Sequence, residues 1–223
     1  MQRLAIYDMD KTITRAPTWT RFLIHYAWTY APWRLALLPV AGLIAVGHPL
    51  RLIDRAKLKE ATHRLLIGAH APAEQLARAA ASFAALEVQH GLFPAALAQI
   101  ATDRAAGYRI IVATASHLFY AEAIAALVGA DAVIATEAQH DAAGQVLARL
   151  AGANCYGAAK LDRVMAWLAR EGIARGAAQV RFYSDHISDA PTLGWADEGF
   201  VVNPDTALAS LAGKRSWTIL DWR

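Results

Sequence analysis

The chain has 223 residues, 56% hydrophobic and 18% charged, a profile that excludes disorder and supplies a large buried core. That length suits one α/β domain with an insertion, or two small domains. Lysine and arginine number 22 against 19 acidic residues, and the net charge of +3 comes without a basic run or patch, which argues against a nucleic-acid partner.

Leu4-Ala5-Ile6-Tyr7 predicts a buried strand, since the run is apolar and stops at charged, turn-compatible residues. It is too short for a signal peptide, so a cytoplasmic location is expected. Asp8 and Asp10 follow at i, i+2, with Thr12 beyond. Side chains alternate along a strand, so the two acids share a direction at its C-terminal end, where open parallel sheets place their ligands. Carboxylates so close repel unless a cation or a proton separates them. The pair therefore asks for a divalent metal, or for one acid held protonated.

After Thr12 the periodicity turns helical. Trp19, Phe22, Leu23, Tyr26, Tyr30 and Trp33 fall on one helical face, with Pro17 and Thr18 as start signals. Leu35–Val46 is an apolar run interrupted by Pro39 and Gly42, shorter than the ~20 residues needed to span a bilayer, and reads as part of a buried helical hairpin. The aromatic face beside Arg15, Arg21 and Arg34 also suits a membrane surface, an alternative that packing inside a helical lobe outweighs. Helices are expected over Leu50–Leu66 and Ala73–Gln89, which makes residues 15–90 an all-helical insertion without a strand.

Alternation resumes at Pro94. A helix over Pro94–Ala106 closes at Gly107, and the β-rich run Tyr108–Ala113 ends in Thr114-Ala115-Ser116. A helix over Leu118–Val128 stops at Gly129, a strand over Ala132–Ala135 follows, and a hairpin turns around His140–Gly144. Cys155 is the only cysteine, which excludes an internal disulfide and a thiolate metal cluster; with no activating partner in view it reads as inert. A helix over Gly157–Arg170 carries Lys160 near its start. The strand Val180–Tyr183 runs into Ser184-Asp185-His186-Ile187-Ser188-Asp189, and Phe200–Val202 is a further strand before a last helix opening at Asn203-Pro204-Asp205. Strand and helix alternating in this way predict a Rossmann-like, doubly wound parallel sheet covered on both faces. His117 and His186, beside the polar clusters, read as loop residues rather than ligands, and the other histidines lack metal-ligand spacing.

Four polar clusters thus sit at strand ends or helix starts: Asp8/Asp10/Thr12, Thr114/Ser116, Lys160 and Asp185/Asp189. Phosphoryl transfer needs such a set. One carboxylate attacks phosphorus, a second moves protons, a hard cation such as Mg²⁺ neutralises the oxygens, and a hydroxyl and an ammonium hold the developing charge.

Asp8-Met9-Asp10-Lys11-Thr12 resembles the first motif of the haloacid-dehalogenase-type phosphatases, Thr114 their second, Lys160 their third, and Asp185 with Asp189 their fourth. Phe200–Asp205 and Trp217 look like the tail of the phosphoserine-phosphatase-like subclass, which carries a helical cap between its first two motifs. The resemblance implies a catalytic core over residues 1–14 and 91–223 with a cap over 15–90. It implies Asp8 as nucleophile and Mg²⁺ ligand, Asp10 as general acid/base with its backbone carbonyl on the metal, and Thr114, Ser116 and Lys160 as phosphoryl-binding groups. Asp185 would complete the metal site, Asp189 would support it directly or through water, and Thr12 would shape the loop.

Departures bear on substrate. The phosphoserine enzymes carry a serine and two glycines at the second motif, where this chain has Thr114-Ala115-Ser116. They also carry a glutamate after the first motif that reads the substrate amine, and Ile13–Thr20 has no acid. The expectation is a Mg²⁺-dependent phosphomonoester hydrolase acting on a small or lipid-linked phosphate ester. The alternatives are a phosphotransferase using an alcohol acceptor, and a non-catalytic protein that binds a phosphorylated ligand.

Overall fold

A computed structural model describes residues 1–223. In chain order the elements are β1 (Gln2–Tyr7), α1 (Trp19–Tyr30), α2 (Leu38–Val46), α3 (Arg55–Leu66), β2 (His70–Ala71), α4 (Ala73–Leu86) and α5 (Pro94–Ala105). Then come β3 (Arg109–His117), α6 (Leu118–Leu127), β4 (Ala132–Thr136), β5 (Ala138–His140), β6 (Val146–Leu150) and α7 (Ala158–Arg170). The chain ends with β7 (Ala178–Ser184), α8 (Ala190–Trp195), β8 (Glu198–Val202), α9 (Thr206–Arg215) and β9 (Thr218–Leu220).

Six strands form one sheet in the order β4-β3-β1-β7-β8-β9, every pair parallel. The chain leaves β1 toward β3 on one side and β7 on the other, so the C-terminal end of β1 lies where the strand order switches direction and an open sheet leaves a crevice. Alternation along β1 sends Leu4 and Ile6 into a core cluster of 17 buried residues and Ala5 and Tyr7 into another of 33. Both faces are therefore dry, as the doubly wound reading requires. The larger cluster is anchored by Tyr7 stacked on Tyr183 at 4.2 Å, and both phenols donate to the buried carboxylate of Asp103, at 2.5 and 2.8 Å.

The insertion shares that larger cluster. Phe22 of α1 stacks on Tyr120 of α6 at 4.6 Å, and Leu76 and Phe83 of α4 belong to the same buried set. Four expectations for this region need correction. A strand does occur in it: His70 and Ala71 pair antiparallel with Leu147 and Val146, joining the insertion to the β5–β6 hairpin, because two residues following the break at Gly68 can complete an edge. The helix expected from Leu50 starts at Arg55, where the Asp54 carboxylate accepts from the Lys57 N–H at 2.7 Å and caps it. Trp33 leaves the aromatic face, since Pro32 ends α1 and a 3₁₀ turn over Pro32–Leu37 follows. The apolar run after it is helical but not buried: Ala41 is the one buried residue of α2.

Elsewhere β3 extends to His117, with irregular pairing to β4 between Ala113 and His117, so His117 is a buried strand residue rather than a loop residue. Gly107 and Gly129 take φ of +83° and +77°, as helix-terminating glycines do. Asp205 caps α9, its carboxylate accepting from the Leu208 N–H at 2.8 Å. The edge strand β9 had no signal in the sequence strong enough to read. No helix is long and apolar enough to cross a membrane.

Candidate active site

Asp8 is the first residue past β1, and its N–H still donates to the Tyr183 carbonyl of β7 at 2.9 Å, so the sheet itself fixes its backbone. Asp185 is the first residue past the neighbouring β7, and Thr114 lies in the irregular stretch of β3, where a break in register re-aims side chains. Lys160 is in the first turn of α7, behind Gly157 with φ +62°. These elements bring Asp8, Asp10, Thr114, Lys160, Asp185 and Asp189 into the wall of one pocket of about 300 Å³.

Lys160 is buried and its ammonium lies 3.1 Å from Asp8 Oδ1 and 2.5 Å from Asp189 Oδ2. Burial alone would lower its pKa, but Asp189 and Asp8 hold the ammonium protonated well above the usual lysine range. Asp189 Oδ2 also accepts from Ser184 Oγ at 2.7 Å, while its buried Oδ1 has no partner. Asp189 thus holds Lys160 and Ser184 through one oxygen and leaves the other open. Burial pushes Asp8 up to about 8, against the pull of Lys160 and reinforced by Asp189, Asp185 and Asp10. Burial likewise pushes Asp185 up to about 6, opposed by Lys11.

Asp10 is turned to the start of the insertion. Its Oδ1 accepts from the Thr18 N–H at 2.8 Å and the Thr18 hydroxyl at 2.7 Å, and its Oδ2 from Ser116 Oγ at 2.9 Å. Thr18 Oγ1 is in turn 3.0 Å from the Tyr120 hydroxyl. Ser116, expected on the phosphoryl group, lies outside the pocket wall and grips Asp10 instead. Thr114 lines the pocket, with its Oγ1 accepting from the Ser116 N–H at 3.0 Å. Thr12 reaches Asp185 Oδ1 at 3.4 Å, which ties the first loop to the fourth. Cys155 is buried and its thiol is pushed up to about 11 by burial, as an inert residue requires.

Sequence reasoning did not single out Arg55, Tyr156, Lys11 and His186 as pocket residues. Arg55 comes from the insertion and stacks 4.1 Å from the Tyr156 ring, so it belongs to the site only through tertiary contact. Lys59 was missed as well: its buried ammonium bridges from α3 to the Ala115 carbonyl and to Asn154 Oδ1. Thr18 did carry a signal, as a helix start, but its hydroxyl serves Asp10 and makes no cap hydrogen bond to α1.

No three His, Cys, Asp or Glu side chains converge closely enough to cage a metal. The pocket wall sets the four carboxylates Asp8, Asp10, Asp185 and Asp189 together with the cations Lys11, Arg55 and Lys160, and burial, reinforced by the neighbouring carboxylates, raises both Asp8 and Asp185. An all-oxygen donor set with few protein ligands fits a hard divalent cation that keeps several waters, the usual state of Mg²⁺.

Residues 5–194 match the haloacid dehalogenase-like hydrolase family. Phosphoserine phosphatase SerB1 of Mycobacterium tuberculosis (strain ATCC 25618 / H37Rv) is 32% identical over 118 residues, which are 53% of this chain and 37% of that protein. The chain thus matches well under half the length of that curated relative. Among solved structures, a protein of unknown function from Bordetella pertussis Tohama I superposes over 100% of both chains with a TM-score of 0.88 at 25% identity. A phosphoserine phosphatase described as a phospho-aspartyl intermediate analogue superposes over 100% of this chain and 94% of its own, with a TM-score of 0.65 at 15% identity, a likeness of fold. With sheet order, strand-end carboxylates and family match in agreement, the chain belongs to the haloacid dehalogenase-like hydrolases.

Proposed function

We propose that this chain is a Mg²⁺-dependent phosphomonoester hydrolase in which Asp8 becomes transiently phosphorylated. The observation that carries the reading is the buried Lys160 ammonium 3.1 Å from Asp8 in a pocket also walled by Asp10, Thr114 and Asp185. A carboxylate beside a fixed cation at a strand end is a nucleophile with its transition-state charge already provided for. The neighbour that represents a phospho-aspartyl analogue supports the same chemistry.

In this reading the Asp8 carboxylate attacks phosphorus, and the bond from phosphorus to the ester oxygen breaks. Asp10, in its protonated form, gives that oxygen its proton, so the alcohol leaves neutral. Water then attacks the phosphorus of the aspartyl-phosphate, Asp10 takes its proton, and inorganic phosphate departs as Asp8 is restored. Lys160 and Thr114 hold phosphoryl oxygens through both steps. The Asp8 and Asp185 side chains and the Asp10 carbonyl would hold Mg²⁺, which when bound supplies positive charge to those oxygens.

The remaining pocket wall comprises Lys11, Pro17, Arg55, Ala115, Tyr156, His186 and Ser188, with no acid to receive a substrate ammonium. This favours a phosphate ester whose remainder is anionic or neutral over phosphoserine. Residues 15–90 act as the cap: Arg55 contributes to the pocket wall from above, and Thr18 places Asp10.

The test is Mg²⁺-dependent phosphate release from amino-acid, sugar, nucleotide and lipid phosphates, with and without added alcohol acceptors. Release should vanish with EDTA and in Asp8→Asn. Turnover that survives in Asp8→Asn would end the mechanism, and faster ester consumption than phosphate release with an alcohol present would make the chain a phosphotransferase.

A further inference from the structure

Sixteen large hydrophobic residues are exposed on this molecule, and eight of them fall within residues 24–52. They include Trp28 (73% exposed), Leu43 (74%) and Leu52 (79%), with Trp33, Val46 and Leu50 also open. Helix α2, with the sequence Leu-Pro-Val-Ala-Gly-Leu-Ile-Ala-Val, has no polar side chain on any face. A solvent-facing helix ordinarily carries an apolar stripe and a polar back. This one has no polar back to turn to water.

The exposed apolar stretch also lacks acidic residues. From Ile24 to Leu52 there is no aspartate or glutamate, and its basic residues are Arg34 and Arg51. Arg34 lies 4.6 Å from the exposed Trp33 ring, and Arg51 is in the turn that follows α2.

We propose that the tip of the insertion, centred on α2 and the 47–53 turn, docks on an anionic lipid bilayer, with α2 lying in the interface. At nine residues α2 is about 14 Å long, far short of a span, which limits it to the interfacial layer. Tryptophan and arginine at its margins suit the headgroup region. A second copy of the chain is the poorer occupant, because it would set Arg34 and Arg51 against their own counterparts with no acid in the stretch to pair them; an anionic surface neutralises them.

The tip also leads to the pocket. An open groove lined by His48, Pro49, Arg51, Ile53 and Asp54 shares Arg55 and Tyr156 with the active-site wall. Docking would therefore present the pocket at headgroup level, and the substrate class this suggests, a phosphomonoester carried on a lipid, rests on the phosphatase reading above.

The experiment is flotation of the whole chain with vesicles of phosphatidylcholine alone and of phosphatidylcholine with phosphatidylglycerol, on wild type and on Leu43→Glu/Leu52→Glu. Both leucines are exposed, and circular dichroism checks that the variant is folded. Wild type should float with the anionic vesicles, release as salt rises, and lose at least tenfold in binding in the double variant. Arg51→Gln should weaken binding roughly fivefold, the share of one basic residue at an anionic surface. No flotation of wild type, flotation unaffected by the double variant, or a vesicle-free dimer that the double variant dissociates would each overturn the proposal. Hydrolysis of p-nitrophenyl phosphate in the same preparations separates the two readings: activity without flotation removes docking alone, and flotation without activity removes the phosphatase alone.

Discussion

Thr18→Val replaces a buried hydroxyl by a methyl of nearly equal volume and isolates one link between the insertion and the proton-transfer residue. The hydroxyl lost is 2.7 Å from Asp10 Oδ1 and 3.0 Å from the Tyr120 hydroxyl, and Thr18 is fully buried. A hydrogen bond to a charged group is worth about 1.5–3 kcal/mol, and stranding the Tyr120 hydroxyl adds to that, so a loss of about 2–4 kcal/mol is expected. For a chain of this size that lowers the melting temperature by roughly 5–15 °C. The Thr18 N–H still holds Asp10 at 2.8 Å, so the carboxylate is loosened rather than released. Loosening a group poised for proton transfer costs up to ~100-fold in kcat, with KM little changed. Thr18→Ser, which keeps the hydroxyl, should recover most of both. The assay is phosphate release under saturating Mg²⁺, beside a thermal melt. If Thr18→Val kept kcat within twofold, or if Thr18→Ser fell as far as Thr18→Val, the hydroxyl would not be what positions Asp10.

Lys160→Met should abolish turnover and also destabilise the fold by about 3–5 kcal/mol, because Asp8 and Asp189 are left as buried carboxylates without their cation; a urea midpoint equal to wild type would contradict the pairing. His63 is buried with neither ring nitrogen partnered, and burial lowers its pKa to about 4. A group whose folded-state pKa is depressed stabilises fully above its unfolded value, near 6.5, and the stability is lost as pH falls toward 4. The loss is about 3 kcal/mol, and His63→Phe should remove that part of the slope from chemical denaturation measured across pH 4–7; an unchanged slope would place the titration elsewhere. Gly199→Ala sets a Cβ 2.7 Å from Trp217 Cδ1, so Trp217 must move off β8 at about 1–3 kcal/mol, read as a lower melting temperature with activity retained.

The local chemistry of the sequence determined most of the frame. An apolar run ending in Asp8 and Asp10, a β-rich run ending at Thr114, a helix carrying Lys160 and a strand ending at Asp185 each announce themselves, because a buried parallel strand must be apolar and must stop where polar groups begin. Helix caps such as Asp205 are equally local. What the tertiary structure decided depends on partners distant in sequence. Ser116 resembled a phosphate ligand until a break in β3 register aimed it at Asp10, 106 residues away. Arg55 enters the pocket wall, and Lys59 reaches the carbonyl of the pocket residue Ala115, only because α3 packs over the site. The two-residue strand at His70 exists only through its pairing with β6, since two residues have no periodicity to read. Most instructive is α2, whose composition reads as core by every local rule. Burial is a property of what lies opposite a side chain, and the fold packs only one side of this helix, at Leu38 and Ala41, and leaves Val40, Leu43 and Val46 exposed.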